Sequence, residues 1–278
     1  MNLTSPSQVK SWCIENGFHP NKVLGQNFLI DQNALKAIVD AGLENVRMFE
    51  CSNVRMTPHV LEIGPGLGVL TEEMLKRGCK VTAIEKDPIL AARLKESLGN
   101  PEGLEVIAGD ALDWIAQSNN RTIEQSNNFD VMISNLPYQA GTRILLEFVK
   151  ARQFKSMTVL VQTEVAERLA AREGSRTRGL AGVWAQLDYD VRIVRKVAAS
   201  CFWPRPEIGS SVVRLDRHDR NLALSDGERD LFHRLTKQAF EHRRKQLGSI
   251  FKDMIQSTAR AEELSNEDWI NLVKELAK

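Results

Sequence analysis

Short runs rich in β-branched residues alternate with helical patterns between residues 60 and 161, and this alternation limits the fold more than any other feature. The runs are Val60–Ile63, Val81–Ile84, Leu104–Ile107, Val131–Ile133 and Met157–Val161. Strands that alternate with helices form parallel sheets joined by right-handed crossovers. Two further runs, Val191–Val197 and Ser211–Leu215, bring the predicted strands to seven. The sequence therefore predicts an α/β fold with a seven-stranded sheet, in which the five strands that alternate with helices are parallel.

The chain changes in character after the seventh run. Residues 216–228 are charged and lack a strand pattern, which predicts a linker. Every later segment has a helical pattern, and Ser265 with Asp268 is typical of the capping box that begins a helix. We therefore predict an α/β domain over residues 1–218 and a small all-helical domain over residues 219–278.

The composition, 42% hydrophobic and 26% charged residues, is that of a soluble globular protein. The apolar runs are too short to span a membrane, and no secretory signal is visible at the N-terminus. Four cysteines, Cys13, Cys51, Cys79 and Cys201, lie far apart without metal-ligand spacing, which predicts reduced thiols, no metal site and a cytoplasmic location. The net charge of +1 is compatible with a local nucleic-acid-binding patch. Residues 45–57 form a polar insertion for which no role is predicted.

The stretch LEIGPGLGVLTEEML, from residue 61, runs from a strand through Gly64, Gly66 and Gly68 into a helix. Glycine lets the backbone turn tightly and approach a ligand at the carboxyl end of the sheet. The spacing is GxGxG, whereas dinucleotide-binding enzymes have GxGxxG. A turn with a purely structural role is the alternative at this point.

Two more strand ends carry carboxylates. Glu85 ends the second strand, where it can accept two hydrogen bonds from a ribose diol. Asp110 follows the third strand, where it can meet an adenine amino group or, alternatively, form the N-cap of the next helix. Together with the glycine turn, these residues predict a ligand that carries adenosine. Both NAD and S-adenosylmethionine satisfy this condition.

The sequence Asn135-Leu136-Pro137-Tyr138 follows the fourth strand and distinguishes between the two ligands. The N6 amino group of adenine is a weak nucleophile, because its lone pair is delocalised into the ring. The Asn135 side-chain oxygen and the Leu136 carbonyl can each accept one of its N–H groups, with Pro137 fixing the backbone direction. Tyr138 can stack on the base through its ring, so phenylalanine is expected to serve equally well there. An Asn-x-Pro turn beside a core tyrosine is the alternative.

Eight motifs then occur in order. They are LGQNFLID (24–31), LEIGPGLG (61–68), IEKD (84–87), GDAL (109–112), NLPY (135–138), EVAERLAA (164–171), FWPRPEIGSSVVRL (202–215) and AFEHRRKQL (239–247). The series resembles the rRNA adenine N6,N6-dimethyltransferases of the KsgA type. The resemblance implies a Rossmann-like S-adenosylmethionine-dependent methyltransferase domain, followed by a helical C-terminal domain that contacts rRNA.

The resemblance also implies functional residues. Contacts with S-adenosylmethionine are implied for Asn27, Leu29, Gly64, Glu85, Asp110 and Asn135, and the glycine turn adds Gly66. The target adenine is held by Asn135–Tyr138, and Phe202 matches the aromatic residue over its other face, a core position being the alternative for Phe202. The family dimethylates N6 of two adjacent adenosines in the 3′-terminal hairpin of small-subunit (16S) rRNA during subunit maturation. The implied partners are this rRNA and the 30S precursor particle, with no membrane partner and a monomeric protein.

Two basic clusters are candidates for RNA contacts, namely Arg168, Arg172 and Arg176 in the first and Arg243, Arg244 and Lys245 in the second. A third group, Arg192, Arg195 and Lys196, is placed after the sixth strand. Solvated protein surface is the alternative for such runs, but a polyanionic substrate favours phosphate contacts. The chain departs from the family at Glu207 and Gly209, where lysine and aspartate are usual, and lacks an aromatic residue near Arg178.

Two rival functions stay open. An Erm-type methyltransferase would act on large-subunit rRNA, whereas the short helical tail and EVAERLAA favour the small-subunit enzyme. A non-catalytic ribosome-assembly or nucleic-acid-binding factor of the same fold would need neither Glu85 nor Asn135–Tyr138, and both are intact. The sequence therefore predicts an active rRNA adenine dimethyltransferase.

Overall fold

The computed structural model describes residues 1–21, 24–44, 46, 57–119, 129–221 and 224–277. Its α-helices are α1 (Pro6–Glu15), α2 (Gln32–Leu43), α3 (Val69–Lys76), α4 (Pro88–Ser97), α5 (Ala111–Asn119), α6 (Gly141–Ala151), α7 (Thr163–Ala170), α8 (Leu180–Asp188), α9 (Asp226–Glu241), α10 (Leu247–Phe251) and α11 (Asn266–Leu276). Its strands are β1 (Phe28–Leu29), β2 (His59–Ile63), β3 (Lys80–Glu85), β4 (Leu104–Ala108), β5 (Val131–Asn135), β6 (Ser156–Gln162), β7 (Tyr189–Val197), β8 (Phe202–Trp203) and β9 (Ser210–Arg217). The polar insertion lies outside the described residues except for Val46 and Thr57.

The main sheet has seven strands in the order β4-β3-β2-β5-β6-β9-β7, so the predicted α/β class and strand number are confirmed. Strands β2 to β6 are parallel to one another, but β9 is antiparallel to both β6 and β7. The parallel direction predicted for the strands that alternate with helices is therefore confirmed, and no direction was predicted for the two strands at this edge. Residues 198–209, all of them described, contain no α-helix to cross over the sheet, so the chain returns antiparallel after β7.

A second sheet consists of β1 and β8, in which Phe28 pairs with Trp203 and Leu29 pairs with Phe202. Two-residue strands carry no periodicity, so the sequence did not predict this sheet. It joins the segment before α2 to the segment before β9. Helix α1 packs over it through an apolar cluster that includes Val9, Phe18 and Phe28.

The C-terminal helices begin with two capping boxes, Ser225–Glu228 on α9 and the predicted Ser265–Asp268 on α11. The predicted linker at 216–228 is wrong at both ends, because strand pairing continues to Arg217 and α9 begins at Asp226. Gln246, directly before α10, pairs with Arg260, between α10 and α11, as an isolated β-bridge.

The C-terminal helices share an apolar cluster with α8, in which Trp184 packs with Phe232 and Trp269. At the same junction, Arg229 of α9 donates to the buried Asp188 carboxylate at 2.7 Å. This packing fixes the helical segment against the sheet domain, and the division between domains at residue 218 stays a prediction. None of the helices in the described ranges is long and apolar enough to cross a membrane.

Candidate active site

A cavity lies at the carboxyl ends of β2, β3, β4 and β5. Most of its wall comes from five segments, Leu24–Leu29, Glu62–Leu67, Ile84–Lys86, Gly109–Ala111 and Asn135–Ala140. The structure thereby brings together every residue predicted for cofactor or adenine binding except Phe202. Parallel strands place their carboxyl ends at one edge of a sheet, which explains why residues so distant in sequence meet here.

The glycine turn forms the floor of the cavity. Gly64, Gly66 and Gly68 have φ values of +67°, +60° and +89°, in the left-handed region that favours glycine. A Cβ atom on Gly66 would lie 3.0 Å from the Phe28 ring, and one on Gly68 would lie 2.7 Å from Leu94. Glycine is therefore required in this turn both by the backbone conformation and by close packing. The turn also faces the cavity.

Glu85 is held by two backbone amides. Its Oε2 accepts from the Gly66 N–H at 3.1 Å, and its Oε1 accepts from the Asp87 N–H at 2.8 Å. The side chain is buried, and this burial raises the pKa of the carboxyl above its ordinary value. Each carboxylate oxygen can accept more than one hydrogen bond, so the amides orient the group without exhausting it.

Glu62 is a site residue to which the sequence reasoning gave no role. It lines the cavity at 1% exposure, and its Oε2 accepts from the Thr71 hydroxyl at 2.6 Å. Burial is the main cause that raises the pKa of Glu62 to about 8, with a smaller contribution from the nearby Glu85. The carboxyl is therefore neutral at neutral pH. The available signal was a glutamate inside the otherwise apolar run Val60–Ile63, two residues before the first glycine of the turn.

Asp110 caps α5 and also lines the cavity, and its contact with an adenine amino group stays a prediction. Its Oδ1 accepts from the Leu112 N–H at 2.8 Å, and its Oδ2 pairs with the Lys86 ammonium at 2.8 Å. The hydrogen bond from Lys86 is the main cause that lowers the pKa of Asp110. Lys86 also lines the cavity and was missed by the sequence reasoning.

Asn135 ends β5 and is half-buried. Its Nδ2 donates to the Asn27 carbonyl at 3.2 Å, which identifies the other amide atom, Oδ1, as a hydrogen-bond acceptor. The Leu136 N–H donates to Leu160 at 3.1 Å, and Pro137 accepts from the Gly141 N–H at 2.7 Å. The turn after β5 is therefore fixed by neighbouring backbone on both sides.

The Leu24–Leu29 segment lies across the cavity and is held from several directions. Gln26 donates to the Asp87 carboxylate at 3.0 Å, and the Ile30 N–H just beyond the segment donates to Cys201 at 2.8 Å. Gly25 approaches so closely that a Cβ atom there would lie 3.1 Å from the Tyr138 nitrogen. These contacts account for a motif whose role had been assigned only by resemblance.

Phe202 is not part of the described cavity wall. It is 2% exposed, pairs with Leu29 and packs in the apolar cluster that also contains Ile133. The structure therefore places it in the core, which was the alternative position, and its contact with a base stays a prediction. Tyr138, in contrast, lines the cavity, and its hydroxyl lies 2.7 Å from the Ser210 hydroxyl.

The two basic clusters meet on one face. Arg243 pairs with Glu262 and donates to the Arg176 carbonyl, and the Gly174 N–H donates to the Glu262 carbonyl at 2.9 Å. The remaining members are exposed, namely Arg168, Arg172, Arg176, Arg244 and Lys245, with Arg168 paired to Glu164. The Arg243 guanidinium is thus already occupied by protein groups.

Other basic residues have different surroundings. Strand β7 contains Arg192, Arg195 and Lys196. The prediction that these residues follow a strand is therefore wrong. Arg178 is 1% exposed and donates to Asn266 at 2.8 Å, so it fastens α11 and does not face solvent. Among the described residues, no group of three or more His, Cys, Asp or Glu side chains could hold a metal ion.

Comparisons with known proteins agree with this geometry. The Deinococcus radiodurans protein "Ribosomal RNA small subunit methyltransferase A" is 41% identical over 252 residues, covering 91% of this chain and 79% of the relative. The crystal structure of a dimethyladenosine transferase from Plasmodium falciparum has a TM-score of 0.71 at 23% identity, over 90% of this chain and 97% of that one. The 23S rRNA methyltransferase ErmE has a TM-score of 0.65 at 22% identity, over 91% and 100%. The two structural matches show the fold alone. The family model "Ribosomal RNA adenine dimethylase" matches residues 17–278, and the chain belongs to this family.

Proposed function

We propose that the protein dimethylates N6 of two adjacent adenosines in the 3′-terminal hairpin of small-subunit rRNA, with S-adenosylmethionine as methyl donor. One observation carries the proposal: the cavity wall that contains Glu85 and Asp110 continues directly into Asn135–Tyr138. A cofactor with an adenosine group and a target adenine would therefore share one cavity. Family membership and the name of the 41% identical relative support the substrate.

The residues present fit S-adenosylmethionine. Glu85 has its carboxylate fixed by two amides and is placed for a ribose diol, and Asp110 is an acceptor for an adenine amino group. Gly64 and Gly66 line the cavity and bring no side chain of their own into it. When bound, S-adenosylmethionine supplies a methyl group on a sulfonium, which is already activated for transfer.

The chain's own residues would act by positioning. Asn135 Oδ1 and the Leu136 carbonyl would each accept one N–H of the target amino group, which favours a nitrogen whose lone pair points at the methyl. Tyr138 would stack on the base, and the segment Leu24–Leu29 would exclude water from the cofactor side. None of the described residues in the cavity wall is a histidine, and Glu62 already holds its proton at neutral pH. The amino proton would pass to water, since a sulfonium leaving group needs no strong base.

The face on which the two basic clusters meet is the proposed site for rRNA phosphates. We assign the contacts to the exposed residues Arg172, Arg176, Arg244 and Lys245, because Arg243 is paired with Glu262. A hairpin loop adenine is a suitable target, since little pairing energy is lost when the base enters a pocket. The proposed partner is the 30S precursor particle, bound by a monomer.

The test is methyl transfer from labelled S-adenosylmethionine by the purified protein, with small-subunit and large-subunit particles that lack adenine methylation as separate substrates. Dimethyladenosine mapped to the small-subunit hairpin is the expected result. Transfer to the large subunit alone would support the Erm-type alternative, and binding without transfer would support a non-catalytic assembly factor. The likeness to ErmE concerns the fold and does not separate these outcomes.

A further inference from the structure

The hydroxyl of Tyr138 has a defined partner that stacking does not require. It lies 2.7 Å from the hydroxyl of Ser210, 72 positions further along the chain. Ser210 is fully buried, and burial is the main cause that raises the pKa of the Tyr138 phenol. The pair is therefore a neutral hydrogen bond at any ordinary pH, enclosed between the turn after β5 and the start of β9.

Ser210 is a rigid anchor because of its place in the sheet. It is the first residue of β9 and pairs with Gln162 of β6 on one side and Val197 of β7 on the other. The preceding Gly209 accepts from the Thr163 N–H at 3.0 Å, and a Cβ atom on Gly209 would lie 3.2 Å from the Val197 carbonyl. A serine held between two neighbouring strands cannot shift without breaking sheet hydrogen bonds.

The backbone end of Tyr138 is fixed independently. Pro137 precedes it and accepts from Gly141 at 2.7 Å, while Gly25 packs against its backbone nitrogen. A tyrosine side chain has two rotatable bonds between Cα and the ring. With both the backbone and the hydroxyl held, the direction of the ring axis from Cβ to the hydroxyl is determined.

We infer that Ser210 is a positioning residue, which fixes the axis of the Tyr138 ring, and with it the place of the ring beside the target adenine, through the hydroxyl hydrogen bond. The inference rests on the proposed function, because it assigns Tyr138 to the base. It differs from the expectation drawn from sequence, under which phenylalanine would replace Tyr138 without effect. Ser210 itself does not line the cavity, so it acts through Tyr138 and not on the base.

The expected size of the effect on methyl transfer follows from the strength of the hydrogen bond between Tyr138 and Ser210. A neutral hydrogen bond contributes a net factor of about 2- to 13-fold, and its loss should appear in methyl transfer when it orients a group that holds the base. Ser210→Ala and Tyr138→Phe should each lower the single-turnover rate by this factor at saturating cofactor and RNA. Because both remove one shared bond, the double variant should be no slower than the slower single variant. Affinity for S-adenosylmethionine should not change.

Ser211→Ala is the matched control. Ser211 is the next residue of β9 and is equally buried, but its hydroxyl lies 3.2 Å from Thr163 Oγ1, away from Tyr138. The Ser211→Ala variant should lose thermal stability, as Ser210→Ala does, but it should methylate RNA at the wild-type rate. If Ser210→Ala does not fold, Tyr138→Phe removes the same hydrogen bond without opening a cavity in β9.

The outcomes separate the two levels of the argument. An active wild-type protein whose Ser210→Ala and Tyr138→Phe variants are equally fast overturns the role of Ser210 and leaves the proposed function intact. Single losses that multiply in the double variant overturn it too, because the two residues would then act separately. A wild-type protein that transfers no methyl group to small-subunit RNA overturns the proposed function, and the positioning role with it.

Discussion

Replacing Glu62 by glutamine should change how the stability of the protein depends on pH. Glu62 is 1% exposed, and its pKa is raised from 4.5 to about 8, chiefly by burial. In the unfolded chain the carboxyl ionises above about pH 4.5, whereas in the folded protein it keeps its proton to about pH 8. The folded state thus binds more protons within this window, so the stability that depends on Glu62 falls as pH rises.

The slope follows from one proton. A difference of one bound proton between the folded and unfolded states changes the free energy of unfolding by about 1.4 kcal/mol per pH unit. Glutamine does not titrate and keeps a similar shape, and it can still accept from Thr71, whose hydroxyl lies 2.6 Å from Glu62 Oε2. The melting temperature of the wild type should therefore fall relative to Glu62→Gln by about 3–6 °C per pH unit.

Thermal unfolding followed by circular dichroism at pH 5.5, 6.5 and 7.5 measures this difference. Glu72→Gln serves as the control, because it makes the same chemical change at a partly exposed position of α3. Its melting temperature should differ from that of the wild type by the same amount at all three pH values. Melting temperatures of the wild type and Glu62→Gln that change in parallel with pH would refute the reasoning. Glu62 would then ionise over the same pH range in the folded and the unfolded protein.

Three other changes test separate parts of the site. Glu85→Ala should weaken S-adenosylmethionine binding in calorimetric titration without unfolding the protein, and unchanged affinity would remove Glu85 from the cofactor site. Asn135→Ala should lower kcat by about 10²-fold at saturating cofactor, the scale for one preorganised hydrogen-bonding group; methylation at the wild-type rate would leave Asn135–Tyr138 as a turn only. Replacing Arg244 and Lys245 by alanine should reduce the slope of log affinity for RNA against log salt by about one unit per residue. A full slope would identify this face as ordinary solvated surface.

Most of the sheet was predictable because the strands β2, β3, β5 and β6 are buried on both faces, whereas the edge strand β4 is partly exposed. Continuous apolar runs result from burial on both faces. Each of the five parallel strands begins and ends within two residues of its predicted bounds. The carboxyl ends of those strands also fixed where Gly64, Glu85, Asp110 and Asn135 would meet. A single rule of parallel topology therefore yielded most of the cavity.

The antiparallel edge and the small sheet were not predictable by the same rule. Periodicity reports which face of a strand is buried, but it does not report direction, so Ser211–Leu215 reads the same whether β9 runs up or down. Strand β1 has two residues and is stabilised by its pairing with β8, which lies about 170 residues away in sequence. Burial patterns contain no information about such a partner.

The roles of individual polar side chains depend on contacts of the same long range. Arg243 looked like a phosphate ligand by composition, yet Glu262 and the Arg176 carbonyl occupy its guanidinium. Tyr138 looked like a ring whose hydroxyl was incidental, yet the fold places Ser210 at hydrogen-bond distance from that hydroxyl. In both cases the residue type was right for the chemistry, and the partner decides whether it acts on the ligand or on its own scaffold. Charge and stacking can be predicted from one residue, whereas positioning is a property of two residues that only the fold brings together.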